Sequence, residues 1–158
     1  MKILKPKFWN KKNNLISFFL LPVSVFLQIL IILKNKSSKK KNFSIPIICV
    51  GNIYLGGTGK TPLSVKIVKI LKRLNKKTAI IKKLHTKHSD EFKLIESKQI
   101  KLFTSHSRSR AIDEAIKNGF ECVVLDDGFQ DFSVNKNLNI LCFNEKQLVG
   151  NGMTLPSG

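Results

Sequence analysis

Cysteine is scarce in this 158-residue chain, and its three copies, Cys49, Cys122 and Cys142, each sit inside an apolar run. Their wide spacing excludes a zinc ribbon and a C-x-x-C redox pair, and nothing in it implies an oxidising compartment. All three are expected to be reduced core residues. Carboxylates are scarce too: 10 Asp and Glu stand against 28 Lys and Arg, for a formal charge of +18. Such an imbalance suits a partner rich in phosphate, whether nucleic acid, an anionic bilayer or a phosphorylated substrate. Arginine is nearly absent, however, and neither an aromatic-basic repeat nor a reader motif accompanies the charge, which argues against nucleic acid. No internal repeat at a solenoid period is present. The length allows one respectable core, and the 42% hydrophobic content is ordinary for a globular α/β domain.

Formal charge is missing altogether from Leu15 to Leu33, LISFFLLPVSVFLQILIIL. As one helix this stretch would span roughly 28 Å, just enough to cross a bilayer. Ser17, Pro22, Ser24 and Gln28 weaken it, and no small-residue cleavage pattern follows, so a retained anchor is expected in preference to a removable signal peptide. Lys2, Lys5, Lys7, Lys11 and Lys12 precede it; Lys34, Lys36, Lys39, Lys40 and Lys41 follow it. With no bias between the flanks, both ends are expected on the cytoplasmic side. A spanning helix and an interfacial or re-entrant helix gripping anionic headgroups fit equally. A buried core helix is a third reading, against which the flanking lysines speak. Lys34 to Asn42 reads as a polar linker, giving a membrane-associated segment at 1–42 and a soluble core at 43–158.

The core reads as alternating strands and helices. Ile45–Val50, Thr78–Ile81, Glu121–Leu125 and Asn139–Phe143 are strand candidates; Thr61–Leu74 and Arg110–Asn118 are helix candidates, the latter stopped by Gly119. This pattern predicts an α/β fold of the P-loop NTPase type, a mostly parallel sheet with helices on both faces.

Two segments carry the chemistry. In GGTGKT, Gly56, Gly57 and Gly59 free the backbone to turn N–H groups, including that of Thr58, toward phosphate oxygens. Lys60 is then placed for the β- and γ-phosphates, and Thr61 opens a helix with its hydroxyl available to Mg²⁺. The first glycine of the usual G-x-x-x-x-G-K-[ST] pattern is replaced by Tyr54. In VVLDDG, Asp126 and Asp127 stand at the carboxyl end of a buried strand, where one of them is expected to hold Mg²⁺ directly or through water.

GNIYLGGTGKTP, VVLDDGFQ and GNGMTLPSG, in that order, resemble the tetraacyldisaccharide 4′-kinase family, the lipid A 4′-kinases of Gram-negative bacteria. The basic, apolar amino terminus also resembles that family's membrane-associated helix. The resemblance implies transfer of the ATP γ-phosphoryl, with Mg²⁺, to the 4′-hydroxyl of a lipid-linked glucosamine disaccharide at the cytoplasmic face of the inner membrane. It makes Asp90 in Ser89-Asp90-Glu91, matching a G-D-E pattern, the candidate base, assisted by Asp126 or Asp127. The family pattern S-R-G-Y-G is replaced by Lys82-Lys83-Leu84-His85-Thr86, and the histidine of D-D-G-F-Q-H by Asp131. His85, His88 and His106 read as solvated loop residues. Family members continue past LPSG into a second half, so the chain is expected to be an amino-terminal piece with weak nucleotide binding and little kinase activity of its own. A membrane-attached P-loop nucleotidase or switch, and an inactive kinase fragment, are the alternative readings.

Overall fold

Each central strand carries two apolar faces. In the computed structural model, which describes residues 6–11, 14–52, 59–84, 92, 94–95, 97–143 and 150–157, five strands form one parallel sheet in the order β3-β2-β4-β1-β5. They are β1 (Ile47–Asn52), β2 (Thr78–Lys83), β3 (Leu102–Ser105), β4 (Cys122–Asp126) and β5 (Leu138–Cys142). Because side chains alternate along a strand, Cys49, Ile81 and Leu125 meet one face, packed with Ala111, Ile112 and Ala115. Val50, Ile80 and Val124 meet the other, packed with Val65 and Val68. Residues 111, 112 and 115 belong to α4 (Arg108–Lys117), and 65 and 68 to α3 (Lys60–Arg73). The sheet is thus covered on both faces, as its unbroken apolar runs require.

Element ends moved by a residue or two. β1 starts at Ile47 because Pro46 has no N–H to give to a ladder. Pro62 is accommodated in the first turn of α3, where amides have no partner within the helix, and α4 stops ahead of Gly119, whose φ of 73° is left-handed. The short edge strand β3 has no counterpart among the expected elements.

Two compact units emerge from the contacts. Among the described residues, one comprises residues 39–52 and 59–142, the sheet and its helices; the other comprises residues 6–38, 143 and 150–157. In the latter the uncharged stretch is two helices, α1 (Leu15–Phe19) and α2 (Leu21–Ser37). Pro22 cannot donate to the carbonyl one turn earlier, so the first helix ends and Pro22 lies in the first turn of the next. Among the described residues no helix is long and apolar enough to cross a membrane.

Ser17 and Ser24, which look like flaws in an apolar stretch, are its buried residues, whereas Phe18, Phe19 and Phe26 are exposed at 69%, 80% and 60%. Ser24 Oγ donates to Thr154 O at 3.0 Å, lies 2.7 Å from Ser157 Oγ and accepts from Ser157 N. Gln28 Nε2 donates to Thr154 Oγ1, Asn151 Nδ2 to Ser17 Oγ, and Trp9 Nε1 to Pro156 O. The GNGMTLPS segment is therefore a polar clasp on the helices, leaving their apolar side outward.

Candidate nucleotide-phosphate site

β1 and β4 are neighbours, yet the chain leaves them toward opposite edges of the sheet, from β1 through α3 to β2 and from β4 to β5. Such a divergence leaves a crevice at the carboxyl ends of the two strands. Asn52, Lys60, Thr61, Asp126 and Asp127 meet there.

Asp126 is fully buried. It shares the α3 face with Val124, two residues earlier, and that places its carboxylate against the first turns of α3. Thr61 Oγ1 donates to its Oδ2 at 2.8 Å, and Ser64 Oγ lies 3.5 Å from Oδ1. Lys82 sits beside it in register on β2, and its Nζ donates to the same Oδ2 at 2.8 Å. This ion pair is enclosed, with side-chain exposures of 7% for Lys82 and 0% for Asp126.

Asp127 stands in contrast. Its φ is 61°, its N–H donates to Val50 O at 2.8 Å, and its side chain is 57% exposed. Lys60 Nζ is held between Asp127 Oδ1 at 2.9 Å and Asn52 Oδ1 at 2.8 Å. One aspartate is thus built into the core of the site, and the other faces its opening beside the loop lysine.

The turn after β4 is braced from below. Arg108 Nη2 donates to Asp127 O at 2.6 Å, and Nη1 approaches Asp131 Oδ2 at 3.4 Å. Asp131 also accepts from the Ser133 N–H and hydroxyl. Its burial pushes its pKa up, but the Ser133 hydrogen bonds and Arg108 outweigh that and hold it below the usual carboxylate value. Phe129 lies over Gly51 so closely that a Cβ there would sit in its ring, 2.7 Å from Cε2.

Of the expected site residues, Gly59, Lys60, Thr61, Asp126 and Asp127 are brought together, with Gly59 at a left-handed φ of 77° as the N-cap of α3. Gly56, Gly57, Thr58, Asp90, His85 and His88 lie outside the described residues. His106 is exposed. The three cysteines are free and buried, and burial raises each thiol's pKa. Asn52, Lys82 and Arg108 are site residues that sequence reading passed over. For Lys82 no local signal existed: it follows the short apolar run that ends at Ile81.

A lysine and a threonine opening a helix after the first strand, facing an aspartate at the end of the adjacent parallel strand, define an α/β protein of the P-loop type. The comparisons narrow this class. A family model described as LpxK, tetraacyldisaccharide-1-P 4′-kinase, matches residues 16–98 and 83–158, and the chain belongs to that family. The tetraacyldisaccharide 4′-kinase of Pelagibacter ubique is 48% identical over 159 residues, covering 100% of this chain and 50% of the relative. That of Rickettsia canadensis is 30% identical over 174 residues, covering 100% and 53%. The crystal structure of LpxK from Aquifex aeolicus in complex with ATP superposes with a TM-score of 0.71 at 25% identity, covering 91% of this chain and 53% of that one. The chain spans about half the length of the curated relatives it matches.

Proposed function

We propose that this chain forms the nucleotide-binding part of an ATP-dependent kinase that phosphorylates the 4′-hydroxyl of a tetraacyldisaccharide 1-phosphate in lipid A biosynthesis. The observation that carries the reading is the convergence of Lys60, Thr61, Asp126 and Asp127 at the divergent ends of β1 and β4. Family membership supplies the acceptor.

In this reading Lys60 exchanges Asn52 and Asp127 for the β- and γ-phosphate oxygens of ATP and offsets charge on the transferring phosphoryl group. The N-terminal amides of α3, following the glycine-rich turn, face the same anion. Among the described residues no cluster of three or more His, Cys, Asp or Glu side chains forms. The oxygens of Thr61, Asp126 and Asp127 instead fit the few protein donors that Mg²⁺ takes when phosphates complete its shell. Bound there, Mg²⁺ would neutralise charge on the β- and γ-oxygens. Asp126, locked to Thr61, orients the threonine hydroxyl; Asp127 is the more exposed carboxylate. Asp90 is proposed as the base that accepts the sugar hydroxyl's proton, assisted by one of this pair.

The anionic membrane surface and the cytoplasmic face of the inner membrane belong to the same proposal. The outward apolar side of α1 and α2, flanked by lysines, supports interfacial attachment. The test is phosphoryl transfer from labelled ATP to a lipid disaccharide acceptor in membranes, using the chain with and without the second half found in its relatives. Transfer to lipid by the longer protein supports the kinase. Phosphate release without transfer favours a nucleotidase or switch, and inactivity of both favours an inactive fragment.

A further inference from the structure

Asp126 Oδ2 carries two donors at once, the hydroxyl of Thr61 and the ammonium of Lys82, both at 2.8 Å. The second is a full positive charge, nearly buried and fixed by strand register beside the carboxylate. Thr61 is the proposed magnesium-binding hydroxyl, so the Lys82 charge lies one hydrogen-bonded oxygen away from where a divalent cation would arrive. We infer that Lys82 is a built-in counter-cation of Asp126 that competes with the divalent cation and thereby sets how much of it nucleotide binding requires.

This rests on the nucleotide-site reading above. Lys82 is a positioning residue here: it acts through Asp126 and Thr61. Like charges a few ångströms apart oppose each other even at a high effective dielectric, so removing the Lys82 charge should favour the divalent ion. Ser64, at 3.5 Å on the other carboxylate oxygen, is neutral and offers no such competition.

The test titrates a fluorescent ADP analogue onto the full chain at graded Mg²⁺, alongside thermal melting of each variant. Lys82→Gln, which removes the charge and keeps an N–H donor, is expected to lower the Mg²⁺ concentration for half-maximal binding about tenfold. Lys82→Arg, which keeps the charge, should stay within about twofold of the parent. An unchanged or higher Mg²⁺ requirement in Lys82→Gln, or an equal shift in both variants, overturns the inference. If Lys82→Gln melts below the assay temperature, ¹⁵N NMR of the Lys82 ammonium in the unsubstituted chain decides. Its resonance should move with ADP plus Mg²⁺ and hold still with ADP alone, and the reverse overturns the proposal. Absence of any nucleotide binding by the unsubstituted chain overturns the site reading itself.

Discussion

Replacing Asp126 by Asn removes one charge and little volume, yet it is expected to be among the most damaging single changes in the sheet unit. The amide oxygen can still accept from Thr61, so the loss falls on Lys82, whose side chain is 7% exposed and whose ammonium sits 2.8 Å from Oδ2. Removing the opposite charge from an enclosed ion pair costs up to about 3–5 kcal/mol, because the remaining charge stays out of water with less to balance it. Against a total stability of about 5–15 kcal/mol, that corresponds to a fall in melting temperature of about 15 °C or more. The single tryptophan, Trp9, lies in the other unit, so its fluorescence is the wrong probe. Far-UV circular dichroism in urea, with hydrogen exchange of the β4 amides, reads the correct unit. Combining Asp126→Leu with Lys82→Met removes both charges and should recover stability to within about 2 kcal/mol of the parent. A loss below about 1 kcal/mol for Asp126→Asn alone would refute the enclosed-pair argument.

Three further changes probe other parts of the structure. Gly51→Ala drives a methyl group into the Phe129 ring and should cost about 1–3 kcal/mol in urea melts, with much of that relieved by adding Phe129→Ala. Asp131 has a folded-state pKa below its ordinary value, so its contribution to stability is complete above about pH 4 and is lost as the pH falls through the lower folded value. Asp131→Asn should accordingly flatten the acid limb of the stability profile; an unchanged limb contradicts the assignment. Ser24→Ala strips Thr154 O and Ser157 N of their shared partner and should cost about 1–3 kcal/mol locally. It should be visible as faster proteolysis of residues 150–157 while the β4 amides keep their exchange protection.

The central strands and both sheet-facing helices were legible because burial on two faces forces unbroken apolar runs, as in Cys122–Asp126, and a 3.6-residue stripe on α3. β3 was not legible: four residues at a sheet edge, only Phe103 of them buried, carry too little pattern. Lys60, Thr61, Asp126 and Asp127 could be read from spacing, since a phosphate loop and a strand-end acid are local signals. Lys82 could not, because a lysine ending a short apolar run reads as the point where the chain meets solvent. Its burial depends on a partner 44 residues away. Likewise Ser17 and Ser24 looked like interruptions of an apolar helix because the segment that satisfies them lies more than 120 residues further on.

That last separation sets a schedule for the newborn chain. Among the described residues, the sheet unit lies in sequence between the two strips that make the helix unit. At about 5–20 residues per second of synthesis, the 133 residues between Ser24 and Ser157 occupy roughly 7–27 s. Throughout that interval Ser24 of α2 lacks its partners, and β5, the last of the five strands, is made before Ser157 follows. The five strands can therefore pair before residues 154–157 reach Ser24.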